Sequence, residues 1–213
     1  HLMRVVAIML CMAVAGLQVY IFRRVSDDLR KNHLEGPSGL RALLAALMTS
    51  GHVKFNDSKG IFEFWNGSKI YLCHCQHEKD MYKYQGAEIH VLLMDELTLF
   101  TETIYRFLRG RVRLGGMKVP DKYKGKLPMI LCGSNPGNIG HTWVKKTFVD
   151  FAPPMEITRT PDEEGGMLRQ YIPAKLADNP TLTENDPDYE ARLAGLGNPA
   201  LVAAMKNGDW DII

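Results

Sequence analysis

The sequence predicts an α/β fold: a mainly parallel sheet flanked by helices, with a small C-terminal subdomain. The first sign is the run Val91-Leu92-Leu93-Met94, which is continuously apolar and stops at Asp95-Glu96. An unbroken apolar run suits a parallel strand covered on both faces. The second is Leu127–Cys132, another short apolar run, which ends in Gly133-Ser134-Asn135-Pro136-Gly137. The third is the alternation of strand-like and helix-like segments along most of the chain, the pattern of a parallel α/β sheet.

Leu2–Ala15 has helix length and composition and ends near Gly16, a natural C-terminal stop. Gln18–Phe22 follows as a strand. Ser26 is placed to cap a helix running to about Asn32, with Asp27 and Asp28 in its first turn. Gly36-Pro37-Ser38-Gly39 breaks that helix, and Leu40–Met48 resumes helical spacing. Val53–Phe55, Ile61–Phe64 and Lys69–Cys73 read as strands, the last two joined by the hairpin dipeptide Asn66-Gly67. After the strand Ile89–Met94 come a helix over about Thr101–Arg109, the strand Leu127–Cys132 and a helix over Thr142–Val149. Pro153-Pro154 marks a shift in composition, giving a core over 1–152 and a smaller, more polar lid over 153–213. That lid reads as a strand near Leu168–Ile172, a turn at Asp178-Asn179-Pro180, and short helices near Pro187–Leu196 and Pro199–Lys206.

A chain of 213 residues with 46% hydrophobic content has material for one good core plus an appendage. The formal charge of +2 decides little, but its distribution is uneven. Arg106, Arg109, Arg111, Arg113, Lys118, Lys122, Lys124 and Lys126 face one acid, Asp121, in their segment, whereas Glu156–Glu190 is strongly acidic. Such asymmetry suits a polyanion or a complementary subunit. The four cysteines, Cys11, Cys73, Cys75 and Cys132, are too few for a disulfide framework and fit a reduced compartment. Leu2–Phe22 also has signal-peptide character, with Ala13-Val14-Ala15 as a cleavage site, so a secreted module is an alternative. Gly16 interrupts the run short of the ~20 apolar residues that a bilayer span needs, and no membrane association is expected.

The candidate chemistry lies at strand ends. In open α/β sheets ligands bind just beyond the carboxyl ends of the strands. Asp95-Glu96 after an apolar strand has the pattern of a Walker B motif. There the first acid holds the Mg²⁺ shell and the second orients the attacking water. Ser134 and Asn135 end a second strand at the same edge and could bond a γ-phosphate or report its state, although Asn-Pro-Gly is also an ordinary turn. Gln85-Gly86 allows a close backbone approach to phosphate or to a neighbouring subunit. Arg23 and Arg24 could meet phosphate or pair with an acid. Cys73, Cys75 and His77 alternate onto one strand face, which leaves a zinc site as a minor alternative to buried packing.

Read in order, these pieces resemble the ATPase domain of the large terminase subunit of tailed bacteriophages. The resemblance rests on Phe22-Arg23-Arg24, Lys83-Tyr84-Gln85-Gly86-Ala87, Met94-Asp95-Glu96-Leu97-Thr98-Leu99-Phe100, Ser134-Asn135-Pro136-Gly137 with Gly140-His141-Thr142-Trp143-Val144, Ile172-Pro173-Ala174 with Asp178-Asn179-Pro180, and Gly208-Asp209-Trp210-Asp211. It implies a P-loop NTPase sheet of the ASCE type, ATP and Mg²⁺ as cofactors, and a motor that moves double-stranded DNA into the prohead. Asp95 would be the magnesium acid, reached through water, and Glu96 the catalytic base. Ser134, Asn135 and Pro136 would couple hydrolysis to movement. Arg23, Arg24, Gln85, Arg106, Arg109, Arg111 and Arg113 are the candidates for phosphate or trans-acting contacts. The implied partners are DNA, a portal protein, a small terminase subunit and further copies in a head-to-tail ring. The implied setting is the cytoplasm of an infected or lysogenic bacterium.

The sequence departs from that family pattern. No Walker A loop, G-x-x-x-x-G-K-[S/T], is present, and Leu2–Ala15 matches the helix behind it. The family's nuclease domain is also missing, and Gln85 stands where many relatives carry arginine. On this reading the fragment alone is inactive. The alternatives are another P-loop or helicase-like ATPase, or a secreted or zinc-binding module.

Overall fold

The computed structural model describes residues 1–211, and the last two residues of the expected lid lie outside them. By contacts the chain divides into two compact units. The first is His1–Glu96 with Thr103–Gly133, and the second is Leu97–Glu102 with Ser134 onward. The expected boundary at Pro153-Pro154 falls inside the second unit.

The first unit is built on one six-stranded sheet. Its strands are β1 (Gln18–Arg23), β2 (Val53–Asn56), β3 (Ile61–Phe64), β4 (Lys69–His74), β5 (Val91–Asp95) and β6 (Met129–Gly133). They lie in the order β2-β3-β4-β1-β5-β6. The β4-β1-β5-β6 half is parallel, and β2 and β3 add an antiparallel edge through the Asn66-Gly67 turn. Gly67 takes φ 81°, which only a residue without a Cβ adopts freely. The mainly parallel sheet expected from the apolar runs is therefore present.

The central strands are buried as their composition requires: Val19, Ile21, Phe22, Val91, Leu92, Leu93 and Met94 are fully enclosed. Helix α1 (Leu2–Ala13) contributes Ala7, Leu10 and Cys11 to the same core. Cleavage after Ala15 would strip that core, which counts against the signal-peptide reading. Among the described residues no helix is long and apolar enough to cross a membrane.

Several local expectations are corrected. Ser26 opens helix α2 (Ser26–Leu29) from inside it; Val25 occupies the cap position, and no side chain caps the helix. The helix then widens into a π turn, Arg30–Leu34. Leu40–Met48 is split into α3 (Leu40–Leu43) and α4 (Ala45–Thr49), because Leu44 leaves helical geometry at ψ 3°. Helix α5 (Glu102–Arg109) buries Ile104, Tyr105 and Leu108.

In the second unit, helix α6 (His141–Val144) also ends in a π turn, Lys145–Val149. The expected strand 168–172 is reduced to a short hairpin, β7 (Thr158–Arg159) with β8 (Leu168–Arg169). Arg169 pins it by donating to the Thr147 carbonyl at 2.8 Å and lying over the rings of Phe148 and Phe151. The expected turn at Asp178-Asn179-Pro180 starts a helix, α7 (Pro180–Asn185), capped by the Asn179 side chain. Helices α8 (Tyr189–Ala194) and α9 (Pro199–Asn207) follow, and Asn198 caps the latter in the same Asn-Pro manner.

Candidate functional site

Strand register brings Arg23 and Asp95 to one edge of the sheet. Phe22 pairs with Met94, so Arg23 and Asp95 stand one residue beyond at adjacent strand ends. On the other side Asp95 is level with Gly133. Asp95 Oδ2 accepts from Arg23 Nη1 at 2.5 Å and lies 2.8 Å from His33 Nε2. Of the two roles left open for Arg23, phosphate contact or an ion pair, the structure displays the ion pair. Burial pushes the Asp95 carboxyl up, but the hydrogen-bonding and electrostatic pull of His33, and after it that of Arg23, outweigh burial and hold Asp95 below the usual range.

Glu96 differs sharply from its neighbour. Its φ is 56°, in the left-handed region that a non-glycine residue seldom occupies. Strain of this kind concentrates at functional sites. Burial, and then the Asp95 charge, raises the Glu96 pKa, with Arg23 opposing. Two adjacent carboxylates are thus pushed in opposite directions, the arrangement that lets one stay an anion while the other exchanges a proton.

A cavity of about 320 Å³ opens beside Asp95 and is lined also by Arg4, Lys31, Asn32, His33 and Ser38. Arg4 and His33 are buried at 7% and 3% exposure. Sequence reasoning missed both. Arg4 sits in an apolar helix and His33 in an irregular turn, so no local pattern marks either one.

The oxygen set fits a hard cation. Asp95 Oδ2 is occupied by Arg23 and His33, and among the described residues Oδ1 accepts no hydrogen bond. A Cβ on Gly133 would lie 3.8 Å from Oδ1, an ordinary contact distance, and 3.3 Å from Met3 Cε. One free carboxylate oxygen suits Mg²⁺, which keeps most of its water and takes few protein ligands.

Gln85 and Arg111 are brought together, because Arg111 Nη1 donates to the Gln85 carbonyl at 2.8 Å. Arg111 also lies over Phe107, and Arg109 over Tyr105. Arg113 lies 3.8 Å from Glu88. Arg24, Arg106 and Arg109 each have an interaction partner in this structure. The segment after α5 is tacked to the core by Leu114, Met117, Val119 and Tyr123, while Lys118, Lys122, Lys124 and Lys126 stay exposed.

In the second unit, Ser134 and Asn135 gather around a residue that the sequence did not single out, Thr98. The Thr98 amide donates to Ser134 Oγ at 3.0 Å, and Thr98 Oγ1 donates to the Asn135 carbonyl at 3.2 Å. The Gly140 amide donates to the Thr98 carbonyl at 2.7 Å, and Trp143 Nε1 to the Phe100 carbonyl at 2.9 Å. Pro136 is buried in the same loop. The loop after β6 therefore grips the segment that directly follows Glu96 in the chain. His141 stacks on Trp210 at 5.3 Å, which anchors the closing Gly208-Asp209-Trp210-Asp211 segment.

The zinc alternative finds no support among the described residues, where no group of three or more His, Cys, Asp or Glu side chains could hold a metal ion. Cys73 and Cys75 are buried thiols.

No protein-family model matches the sequence, and no curated protein does. Solved structures do match its fold. The large terminase of a thermophilic bacteriophage superposes with a TM-score of 0.64 at 18% identity, covering 98% of this chain and 44% of that one. The same protein in complex with ATP-gamma-S gives 0.61 at 17% identity, with 98% and 43% covered. The large terminase ATPase domain of Thermus phage P74-26 gives 0.56 at 13% identity, over 98% of this chain and 82% of that one. The chain thus spans less than half the length of the first of these terminases. Over nearly its whole length, it has the fold of a large terminase ATPase domain.

Proposed function

We propose that this chain is the ATPase domain of a DNA-packaging motor of the large terminase kind. The observation that carries the reading is the pair of unlike carboxylates at the end of the central strand β5. Asp95 is held as an anion with one oxygen free, and Glu96 is raised in pKa on a strained backbone. That division of labour matches the needs of phosphoryl transfer, in which one acid serves the metal and another orients water. The fold likeness adds support, since one matching structure is a terminase in complex with ADP and another holds ATP-gamma-S.

In this reading Asp95 would hold Mg²⁺ by Oδ1, and the ion when bound would neutralise charge on the phosphates. Arg23 and His33 hold Asp95 in place. Glu96 accepts the proton of the attacking water. The Thr98–Ser134–Asn135 cluster carries the state of the site from the segment after Glu96 into the loop before α6. The phosphates themselves require backbone amides and a lysine of the Walker A kind, and the sequence of 213 residues holds no such loop. The exposed lysines of 118–126 form a surface for the DNA backbone or for the acidic face of a neighbouring copy in a ring.

The test is Mg²⁺-dependent ATP hydrolysis by the full-length protein, with and without double-stranded DNA. Hydrolysis stimulated by DNA is expected, and reversal of Lys118, Lys122 and Lys126 to Glu should reduce the stimulation and its salt dependence. No nucleotide binding at all would overturn the proposal. Unaltered stimulation in the reversal variant would remove this surface from it.

A further inference from the structure

We infer that His33 is a positioning residue for Asp95 and that Arg4 selects its tautomer, leaving Asp95 Oδ1 free for a divalent cation. The inference rests on the reading of Asp95 as the magnesium acid and goes beyond it by naming what orients that acid.

The geometry is directional. Arg4 Nη1 lies 3.4 Å from His33 Nδ1. A guanidinium has donors only, so in the neutral ring Nδ1 accepts. The ring proton is then on Nε2, which faces Asp95 Oδ2 at 2.8 Å and donates to it. Arg23 donates to the same oxygen. Both donors therefore occupy Oδ2, and the carboxylate cannot rotate without losing them.

Arg4 is itself fixed. Its Nη1 also donates to the Asn32 carbonyl and its Nη2 to Ser38 Oγ at 3.4 Å. It thereby ties α1 to the π turn at Asn32 and to Ser38 in the loop that borders the cavity. The π turn Arg30–Leu34 carries His33 in a buried position, and such turns recur at functional sites. A histidine that orients an acid in this way resembles the outer-shell partners of metal ligands, whose loss typically costs about 10–100-fold in metal affinity.

Two measurements test the inference. Nitrogen-15 spectra of the His33 ring in this chain should show Nε2 protonated and Nδ1 bare, and Arg4→Met should weaken that preference. Paramagnetic titration of the full-length protein with Mn²⁺ and ADP should show His33→Leu weakening Mn²⁺ at least ~10-fold. His33→Gln, whose amide can still donate to Oδ2, should stay within a few-fold of wild type. A ring protonated at Nδ1, or an unchanged Mn²⁺ affinity in His33→Leu, overturns the inference. Failure of the wild-type protein to bind Mn²⁺ with nucleotide would instead bring down the reading of Asp95, and this inference with it.

Discussion

The cluster at the end of β5 and the cluster around Thr98 use opposite physics. Around Asp95 the structure is held by charge, with two guanidinium groups and an imidazole arranged about one carboxylate. Around Thr98 it is held by neutral hydrogen bonds and by the absence of a side chain at Gly140. A Cβ there would meet Trp143 Nε1 at 2.7 Å and the carbonyls of Phe100 and Thr98 at 2.8 Å. The first arrangement is open to screening by dissolved ions. The second tolerates neither bulk nor a lost donor, which suits a connection that must transmit position.

The strongest way to break this contrast is Gly140→Val. The contacts it creates are with backbone oxygens that cannot move cheaply, so a loss of about 2–3 kcal/mol is expected from urea unfolding. Asp95→Ala comes next. It leaves Arg23 and His33 facing each other without their shared acceptor, in a site that is partly open to solvent. A loss of about 1–2 kcal/mol is expected, and it should change between about 0.05 M and about 1 M salt as ions screen the orphaned charge. Thr98→Val removes neutral bonds only, so its cost of about 1–2 kcal/mol should not vary with salt. Equal salt responses in the two variants would erase the distinction.

A smaller effect concerns the thiols. Burial raises Cys11 to about 12 and Cys75 to about 11, and also raises Cys73. The unfolded chain therefore loses these protons first, near the ordinary thiol pKa of about 8.5. Their stabilising contribution is complete below that value and is lost as pH rises toward 11–12. Native-state labelling at pH 8 should accordingly be slow at these three, and alkaline unfolding should track their deprotonation.

What the sequence made legible was local. Val91–Met94 is apolar throughout and Asp95-Glu96 follows at once, so both the strand and the acids at its end can be read from six consecutive residues. The Asn66-Gly67 hairpin is legible for the same reason. The partners of Asp95 were not. Arg23 follows a strand, but only the pairing of β1 beside β5 brings it to the acid. His33 and Arg4 arrive from a π turn and an apolar helix far away in sequence. Thr98 was hidden among apolar neighbours, since its role depends on the loop 36 residues later. Helix α7 had a signal, Asn179-Pro180, which serves a helix start as well as a turn; the Asn179 cap bond decides between them.

The central claim is that Asp95 and Glu96, neighbours in the chain, perform different tasks. It is tested most directly by Glu96→Gln in the full-length protein, measuring ATP affinity and turnover on the same sample. The account predicts nucleotide binding within a few-fold of wild type and turnover lower by about 10²–10⁴-fold, the usual worth of a general base. Turnover at the wild-type rate would contradict it and remove Glu96 as the base.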